Sequence, residues 1–445
     1  GYYMYHGGTN PKGKLSSLQE STAVGSFCDV PELSYDFQAP IREYGQISET
    51  AKELKLLSMF AHDYGETFCN MQPQFAGDDC ESTSVHTGDF QDAEDLSAFR
   101  MITRRNGDQG YLFVNNYQRG YEMAEHKDVM LRVQTADGKI SFPKQDIKNG
   151  AYFFYPFNFP LSDDVTLRWI NQTPLCNINQ KLWFFYGIDK MQYEADEKLS
   201  GQVLISMDRT WAKCAWRMKK YPNILFFSAL PILETENGIE VICHSDCAQK
   251  NCWIIMDATV EDAKTWIDNG WKKPDIIPDF LHVEGDASTI CVLSHELSAA
   301  DNQIVASFTH TDVNNCIILK EKTDFSMEEA CAIDDTGKDY REYVIRISYD
   351  KAYDAAKDNI FLRIDFQADQ AELYLNGEKI ADQYYIGDVW EVSLKRFDFP
   401  MELILRLYPL EEDDKIYLET QPYYVNGRCC SLKDIRCVYE CKEKL

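Results

Sequence analysis

Residues 360–377, IFLRIDFQADQAELYLNG, carry the clearest structural signal in the chain. Every second residue from 360 to 366 is apolar, and the residues between them include Arg363 and Asp365. A second alternating run leads into Asn376-Gly377, a dipeptide that supplies the positive φ angles of a two-residue hairpin turn. Alternation with a period of two and one polar face predicts antiparallel strands that bury one side.

The same alternation flanks this stretch on both sides. Residues 343–349, YVIRISY, and residues 401–407, MELILRL, each place an apolar side chain at every second position. Several such strands in succession predict a β-sandwich or jelly roll, which we assign to residues 336–445.

Short strands and tight turns also fill the middle of the chain. Strand-like runs stand beside Asn-Gly or Asp-Gly dipeptides at residues 106–107, 137–138 and 149–150. They predict a β-sandwich domain over residues 66–195. A further hairpin about residues 237–238, with a short helix in ATVEDAKTWIDNGW, predicts a second β-rich domain over residues 196–335.

The opening of the chain has a different pattern. It begins with GYYMYHGGTN at residues 1–10 and continues through a long loop rich in Gly, Ser, Thr and Lys. Apolar residues then recur at helical spacing, at Ile47, Ala51, Leu54, Leu57 and Ala61. Ser48 stands where a helix cap belongs, so the pattern predicts a capped amphipathic helix.

Strand, loop and helix make one βα unit, and the unit is not repeated downstream. A single parallel strand with one helix cannot bury its own apolar face, so the unit must complete something larger. We therefore expect residues 1–65 to be the last βα unit of a truncated (β/α)8, or TIM, barrel, with YYMYHGGTN as its strand. The predicted fold class is mainly β: this terminal βα unit followed by antiparallel β-sandwich and jelly-roll domains.

The charge balance restricts the possible partners. The chain has 45 Lys and Arg against 72 Asp and Glu, a net charge of −27. Nucleic acid and anionic membranes both require a cationic surface, so we expect no nucleic acid and no membrane as a partner. A neutral substrate is compatible with this charge.

The 15 cysteines do not form a recognisable framework. Many lie in apolar, strand-like segments, which favours buried, reduced thiols. Reduced thiols favour a cytoplasmic location, although the sequence leaves the location open. Two groups lack the paired C-x-x-C spacing of zinc sites, so we expect no metal: Cys243, Cys247 and Cys252, and Cys429, Cys430, Cys437 and Cys441. The sequence also has no P-loop, dinucleotide fingerprint, G-x-S-x-G or H-E-x-x-H motif, so we expect no cofactor.

Two stretches near the start resemble a known family. Residues 3–10, YMYHGGTN, and residues 34–45, SYDFQAPIREYG, are similar to the last barrel strand and following loop of glycoside hydrolase family 35 β-galactosidases. That family writes the pair as YM(F/Y)HGGTNFG and SYDYDAPLxEYG. Downstream, GYLFVNNYQRG resembles the β-domain that follows the barrel, and residues 371–394 resemble the family's terminal galactose-binding-like jelly roll.

The resemblance implies a retaining exo-β-galactosidase that hydrolyses terminal non-reducing β-D-galactosyl residues with two glutamates. In the family both glutamates come from barrel strands upstream of the strand that opens this sequence. We therefore expect a C-terminal fragment with no catalytic residue of its own, inactive alone. Its expected partners are a β-galactoside and the missing N-terminal barrel segment of the same protein.

The resemblance also implies three substrate-binding residues. Tyr3 matches a family tyrosine near the galactose and the nucleophile, so its hydroxyl is expected to hydrogen-bond the sugar or the carboxylate. Phe37 replaces a second family tyrosine, so a polar contact is lost and a ring that can stack on a sugar remains. Tyr35 offers a nearby hydroxyl whose role is more structural.

Two alternatives remain at this stage. One is a non-catalytic assembly of β-sandwich modules that binds carbohydrate or protein and is complete in itself. The other is a glycosidase with the same scaffold but specificity for a different glycoside, because Phe37 lacks the family's hydroxyl.

Overall fold

The computed structural model describes most of the chain. The residues it describes are 3–11, 31–75, 79–83, 95–245, 247, 251–258, 263–276, 278–286, 288, 290–297, 307–312, 340–349 and 359–445. They form a mainly β structure in which almost all strand pairs are antiparallel, as the sequence predicts. One described pair, Leu182–Gly187 with Val203–Asp208, is parallel.

The described strands follow one another with few helices between them. In chain order they are β1 (Gly8–Thr9), β2 (Ser34–Tyr35), β3 (Gln72–Phe75), β4 (Cys80–Ser82), β5 (Arg100–Asn106), β6 (Gln109–Asn116), β7 (His126–Val129), β8 (Leu131–Thr135), β9 (Gly138–Ser141), β10 (Gln145–Ile147), β11 (Ala151–Pro160), β12 (Thr166–Ile170), β13 (Thr173–Ile178), β14 (Leu182–Gly187), β15 (Tyr193–Ala195), β16 (Val203–Asp208), β17 (Ala215–Met218), β18 (Tyr221–Phe227), β19 (Ile232–Thr235), β20 (Gly238–His244), β21 (Asn251–Asp257), β22 (His282–Gly285), β23 (Ile290–Glu296), β24 (Ser307–Asp312), β25 (Arg341–Ser348), β26 (Asn359–Gln367), β27 (Gln370–Leu375), β28 (Glu378–Tyr384), β29 (Trp390–Ser393), β30 (Glu402–Tyr408), β31 (Leu410–Glu411), β32 (Arg428–Cys429) and β33 (Ser431–Lys444). The helices are α1 (Glu49–Cys69), α2 (Arg209–Lys213), α3 (Lys264–Asp268) and a 3₁₀ turn, Leu394–Phe397.

The chain divides into two compact units. The first contains residues 1–51, 230–250 and 297–445, and the second contains residues 52–229 and 251–296. The segment that the sequence assigns to a second β-rich domain, residues 196–335, thus supplies strands to both units. The division of the sequence into four domains stays a prediction.

The first unit contains two five-stranded sheets, β19-β20-β33-β26-β29 and β24-β25-β30-β27-β28. The alternation read from the sequence decides which face of each strand is buried. Leu403, Leu405 and Leu407 of β30 are almost completely buried, and so are Leu362 and Ile364 of β26. The apolar side of both strands is therefore buried, as in the sheets of a β-sandwich, and in β26 Phe361 on the opposite side is buried as well.

The Asn376-Gly377 hairpin is confirmed in detail. Leu375 pairs with Glu378, so the two-residue loop consists of Asn376 and Gly377 alone. Their φ angles are 51° and 83°. Two consecutive positive φ angles are what a type I′ turn requires, and this turn matches the twist of the strands that it joins.

The second unit is built from five sheets with α1 against its core. The sheets are β15-β12-β11-β6-β5-β3, β13-β14-β16-β22, β17-β18-β21-β23, β4-β8-β9 and β10-β7. Aromatic side chains dominate one of its apolar clusters, which includes Phe60, Tyr64, Tyr111, Phe159 and Trp183. Burial of such rings is a large apolar contribution to folding.

The predicted helix is present, but its buried face differs from the prediction. Ser48 caps it as expected, since the Ala51 amide donates to the Ser48 hydroxyl at 3.3 Å. Leu57, predicted to face the core, is 56% exposed, whereas Leu56 and Phe60 are buried. The helix is turned by about one residue because large aromatic rings, rather than Leu57, fill the adjacent core.

The opening stretch forms less strand than predicted. Within the described residues 3–11, only Gly8–Thr9 forms a strand, and its partner is Ser34–Tyr35 in antiparallel register. Met4 has a φ of 55°, which is incompatible with a continuous strand from the second residue onward. Of the described helices, none is long and apolar enough to cross a membrane.

Candidate functional site

The two stretches that carry the family resemblance fold against each other in the first unit. We call residues 3–11 and 31–45 the motif loops. The Gly7 amide donates to the Ile41 carbonyl at 2.8 Å, and the Ile41 amide donates to the Tyr5 carbonyl at 2.9 Å. These bonds and the β1–β2 pair hold the motif loops together through backbone groups.

Gly7 is required by the closeness of this contact. A Cβ atom at Gly7 would lie 2.9 Å from Asp36 Cα and 3.1 Å from Glu43 N, both backbone atoms. At Gly8 a Cβ atom would meet nothing within 4 Å. The sequence predicts a close backbone approach at the double glycine, and the structure places that approach at Gly7 alone.

Asp36 organises the second motif loop. Its buried carboxylate accepts from the Gln38 amide at 2.9 Å, the Glu43 amide at 2.7 Å and Arg42 Nε at 2.6 Å. Phe37 and Gln38 both adopt left-handed backbone, with φ angles of 50° and 53°. Such conformations persist in residues other than glycine when surrounding contacts enforce them, and Asp36 supplies those contacts.

The three predicted substrate-binding residues occupy different environments. Tyr35 and Phe37 are in contact, with ring centroids 4.6 Å apart and planes at 70°. Phe37 is 47% exposed and Tyr3 is 89% exposed. The structure thus brings Tyr35 and Phe37 together as an edge-to-face pair at the surface and leaves the Tyr3 ring open to solvent.

Glu43 is a titratable group of the motif loops that the sequence alone does not single out. Its carboxylate accepts hydrogen bonds from the Thr9 hydroxyl and, at 2.9 Å, from the Ser34 hydroxyl, so it links the motif loops. Burial raises the pKa of Glu43 to about 7, against the opposing effect of these hydroxyls, and the charge of Asp36 adds to the rise. Glu43 therefore exchanges a proton near neutral pH, where a carboxyl group ordinarily does not.

A charge cluster centred on the buried Asp382 carboxylate anchors residues 31–45 to β28. Asp382 accepts from the backbone amides of Leu33 at 3.0 Å and Ser34 at 2.8 Å. Lys379 lies 2.5 Å from a Glu32 carboxylate oxygen, 3.0 Å from one of Glu372 and 3.5 Å from one of Asp382. Burial raises the pKa of Asp382, and the two backbone bonds and Lys379 oppose that rise. A buried carboxylate with so many donors holds its loop firmly.

Polar and aromatic groups continue along β27 and β30. Glu372 accepts from the hydroxyls of Tyr374 at 2.6 Å and Tyr408 at 2.8 Å. The Arg406 guanidinium lies 4.3 Å from the Tyr374 ring centroid and 4.7 Å from that of Tyr340. This network combines aromatic rings with charged groups around the buried Glu372 carboxylate. The sequence contains no spacing signal for it, because its members come from separate strands.

The remaining groups considered from the sequence are packing residues or thiols. Trp390 and Tyr385 are buried within the first unit. The described cysteines of the two groups are not in disulfides. Within the described part of the chain, no three His, Cys, Asp or Glu side chains are arranged to hold a metal ion.

Comparison with known proteins adds no identification. No protein-family model matches the chain, and no curated protein matches it.

Proposed function

We propose that this chain is the C-terminal part of a retaining exo-β-galactosidase that hydrolyses terminal non-reducing β-D-galactosyl residues. One observation carries the proposal. The two stretches that resemble glycoside hydrolase family 35 are separated by 23 residues in the sequence, and they pack on each other, with Gly7 against Asp36. In this proposal residues 1–65 close a TIM barrel, and residues 336–445 are a galactose-binding-like jelly roll.

The chemistry assigned to the parent enzyme is double displacement. One glutamate forms a glycosyl-enzyme, and a second protonates the leaving oxygen and then activates water. Both glutamates belong to the barrel segment upstream of Gly1, so that segment and a β-galactoside are the proposed partners. The motif loops supply contacts to the sugar rather than to the bond that breaks.

The environments of the three aromatic residues support this division of roles. Tyr3 is 89% exposed, which leaves its hydroxyl within reach of a sugar or of a carboxylate. The Phe37 ring is half-exposed and held edge-to-face by Tyr35, so its open face suits the C–H face of a sugar ring.

The test compares the purified chain of residues 1–445 with the product of the complete coding sequence, both assayed on an aryl β-D-galactoside. We expect turnover by the complete protein, with retention of the anomeric configuration, and none by residues 1–445 alone. Turnover by residues 1–445 at enzyme-like rates, or inversion of configuration, would overturn the proposal.

A second candidate is a non-catalytic, self-contained module that binds carbohydrate or protein. One observation favours it: the motif loops have hydrogen-bond partners within this chain, in each other and in Asp382. A coding sequence with a stop codon and a start signal directly before Gly1 supports this candidate. An open frame of roughly 200–300 residues, the length of a barrel, supports the galactosidase.

The glycoside preferred by the parent is a separate question, because Phe37 carries no hydroxyl. A panel of aryl glycosides assayed with the complete protein decides it. We expect the β-galactoside to be hydrolysed fastest, and a faster reaction with another sugar would move the assignment to that sugar.

A further inference from the structure

Two cysteines face each other across neighbouring strands of the first unit. In the β20–β33 pair, Cys243 is the direct partner of Cys441. The strands are antiparallel, so both side chains point to the same face of the sheet. That face is the buried one, since Val241 and Cys243 are both almost completely buried.

The hydrogen-bond pattern fixes the spacing of this pair. The Ser245 amide donates to the Tyr439 carbonyl at 2.9 Å, and the Leu445 amide donates to the Ile239 carbonyl at 3.0 Å. Hydrogen-bonded pairs recur at every second residue, so Cys243 and Cys441 are also such a pair. Partners of this kind lie about 5.5 Å apart at Cα, within the range in which disulfides form.

We propose that Cys243 and Cys441 are a thiol-oxidation site that closes reversibly to a cross-strand disulfide. Both are thiols in this structure. Opposed Cβ atoms in a sheet are about 4.5–5.5 Å apart, whereas a disulfide holds them at about 3.8 Å, so the bond forms with some strain. Strained disulfides are readily reduced, so this disulfide is expected to form and break with the thiol–disulfide balance of its surroundings.

The oxidant is a small-molecule disulfide such as oxidised glutathione. Cys441 is 8% exposed and Cys243 is 1% exposed, so Cys441 reacts first. Its sulfur loses a proton, bonds to one glutathione sulfur and releases the other as glutathione. Cys243 then displaces the second glutathione, so the two protein thiols lose two electrons and two protons in total, and two glutathione molecules gain them.

The consequence is a covalent link between β33 and β20. The closed loop runs from residue 243 to residue 441 and contains most of the first unit's jelly-roll strands. A cross-link that spans a long loop restricts the unfolded chain strongly. Oxidation therefore raises the thermal midpoint of the first unit, and reduction lowers it again.

The test uses the purified chain of residues 1–445, first reduced and then equilibrated with oxidised glutathione. Remaining thiols are alkylated and the protein is digested without reduction. We expect a linked Cys243–Cys441 peptide with a mass about 2 Da below the sum of its parts. We also expect it to disappear after treatment with dithiothreitol.

The assignment within the linked peptide requires matched variants, because Cys247 and Cys437 lie close in sequence to the two cysteines. The double variant Cys247→Ser, Cys437→Ser is expected to keep the link, and Cys441→Ser is expected to lose both the link and the rise in thermal midpoint. A folded wild-type protein without the link, or a link between Cys247 and Cys437, would overturn the proposal.

Discussion

Helix α1 and the motif loops are held in place by different kinds of interaction. Phe60 of α1 packs among four rings, at centroid distances of 5.4 Å to Tyr64, 5.6 Å to Phe68, 5.4 Å to Tyr111 and 4.8 Å to Phe154. The motif loops depend instead on carboxylates, hydroxyls and backbone amides.

The difference predicts different responses to change. Apolar packing is insensitive to pH and costs most when volume is removed. A buried polar network responds to protonation and costs most when one partner is left without its bonds. The second arrangement fixes the direction of each group, which suits a surface that has to present particular rings.

The largest expected effect is on the packing of α1. Phe60→Ala removes a ring that is 3% exposed and should lower the free energy of unfolding by about 4 kcal/mol. Urea denaturation monitored by tryptophan fluorescence measures the change. Leu57→Ala is the matched control on the same helix, and its 56% exposure predicts a change within about 0.5 kcal/mol. A larger decrease in unfolding free energy for Leu57→Ala than for Phe60→Ala would mean that α1 buries the face predicted from the sequence.

The next effect concerns Asp36. Asp36→Ala leaves three donors without their acceptor, and we expect the motif loops to lose about 3 kcal/mol of local stability. Hydrogen exchange at the Glu43 amide should accelerate by about 100-fold or more. Asp388→Ala, at an exposed position in the same unit, should leave that rate unchanged. Unchanged exchange in Asp36→Ala would mean that other contacts hold the loop.

The pH dependence of the motif loops should follow Glu43. Its pKa is about 7 in the folded protein against 4.5 for an ordinary glutamate, so the folded state binds the proton more tightly. The resulting stability is fully present below about pH 4.5 and is lost as the pH rises through 7, by about 3 kcal/mol in all.

Glu43→Gln should remove this component, as measured by the urea midpoint at pH 5 and pH 8. Glu378→Gln, an exposed glutamate of the same unit, should retain the wild-type dependence. A Glu43→Gln protein that still loses the same stability between the two pH values would assign the effect to another group.

The smallest effect separates the two glycines. Gly7→Ala forces a Cβ atom against the Asp36 backbone and should cost about 1 to 2 kcal/mol. Gly8→Ala meets no atom within 4 Å and should be close to neutral. Equal urea midpoints for the two variants would contradict this expectation, since the motif loops would then move apart at Gly7 without loss of stability.

The sequence predicts the two regions with different success. Period-two alternation locates β25, β26 and β30, and Asn376-Gly377 locates the turn, because burial and φ preference act over a few residues. Elsewhere the turn position is shifted: Asn106 pairs with Gln109, so the two-residue loop is Gly107-Asp108 rather than Asn106-Gly107.

The polar network of the motif loops leaves no such local signal. Leu33 and Asp382 are 349 residues apart in sequence, and neither residue type predicts a contact with the other. The same holds for Thr9 and Glu43, since a chain with 72 acidic residues offers no reason to select one of them. The predicted face of α1 was wrong for a related reason, because two of the four rings around Phe60, those of Tyr111 and Phe154, come from strands distant in sequence.

The most direct test of the account is the kinetics of Tyr3→Phe in the protein expressed from the complete coding sequence. Loss of a hydroxyl that bonds the sugar or the nucleophile should lower kcat/KM on an aryl β-D-galactoside by about 10-fold to 100-fold. Tyr117→Phe, at another exposed tyrosine, should leave kcat/KM unchanged. Equal kcat/KM values for Tyr3→Phe and the wild-type enzyme would contradict the claim that the motif loops contact the substrate.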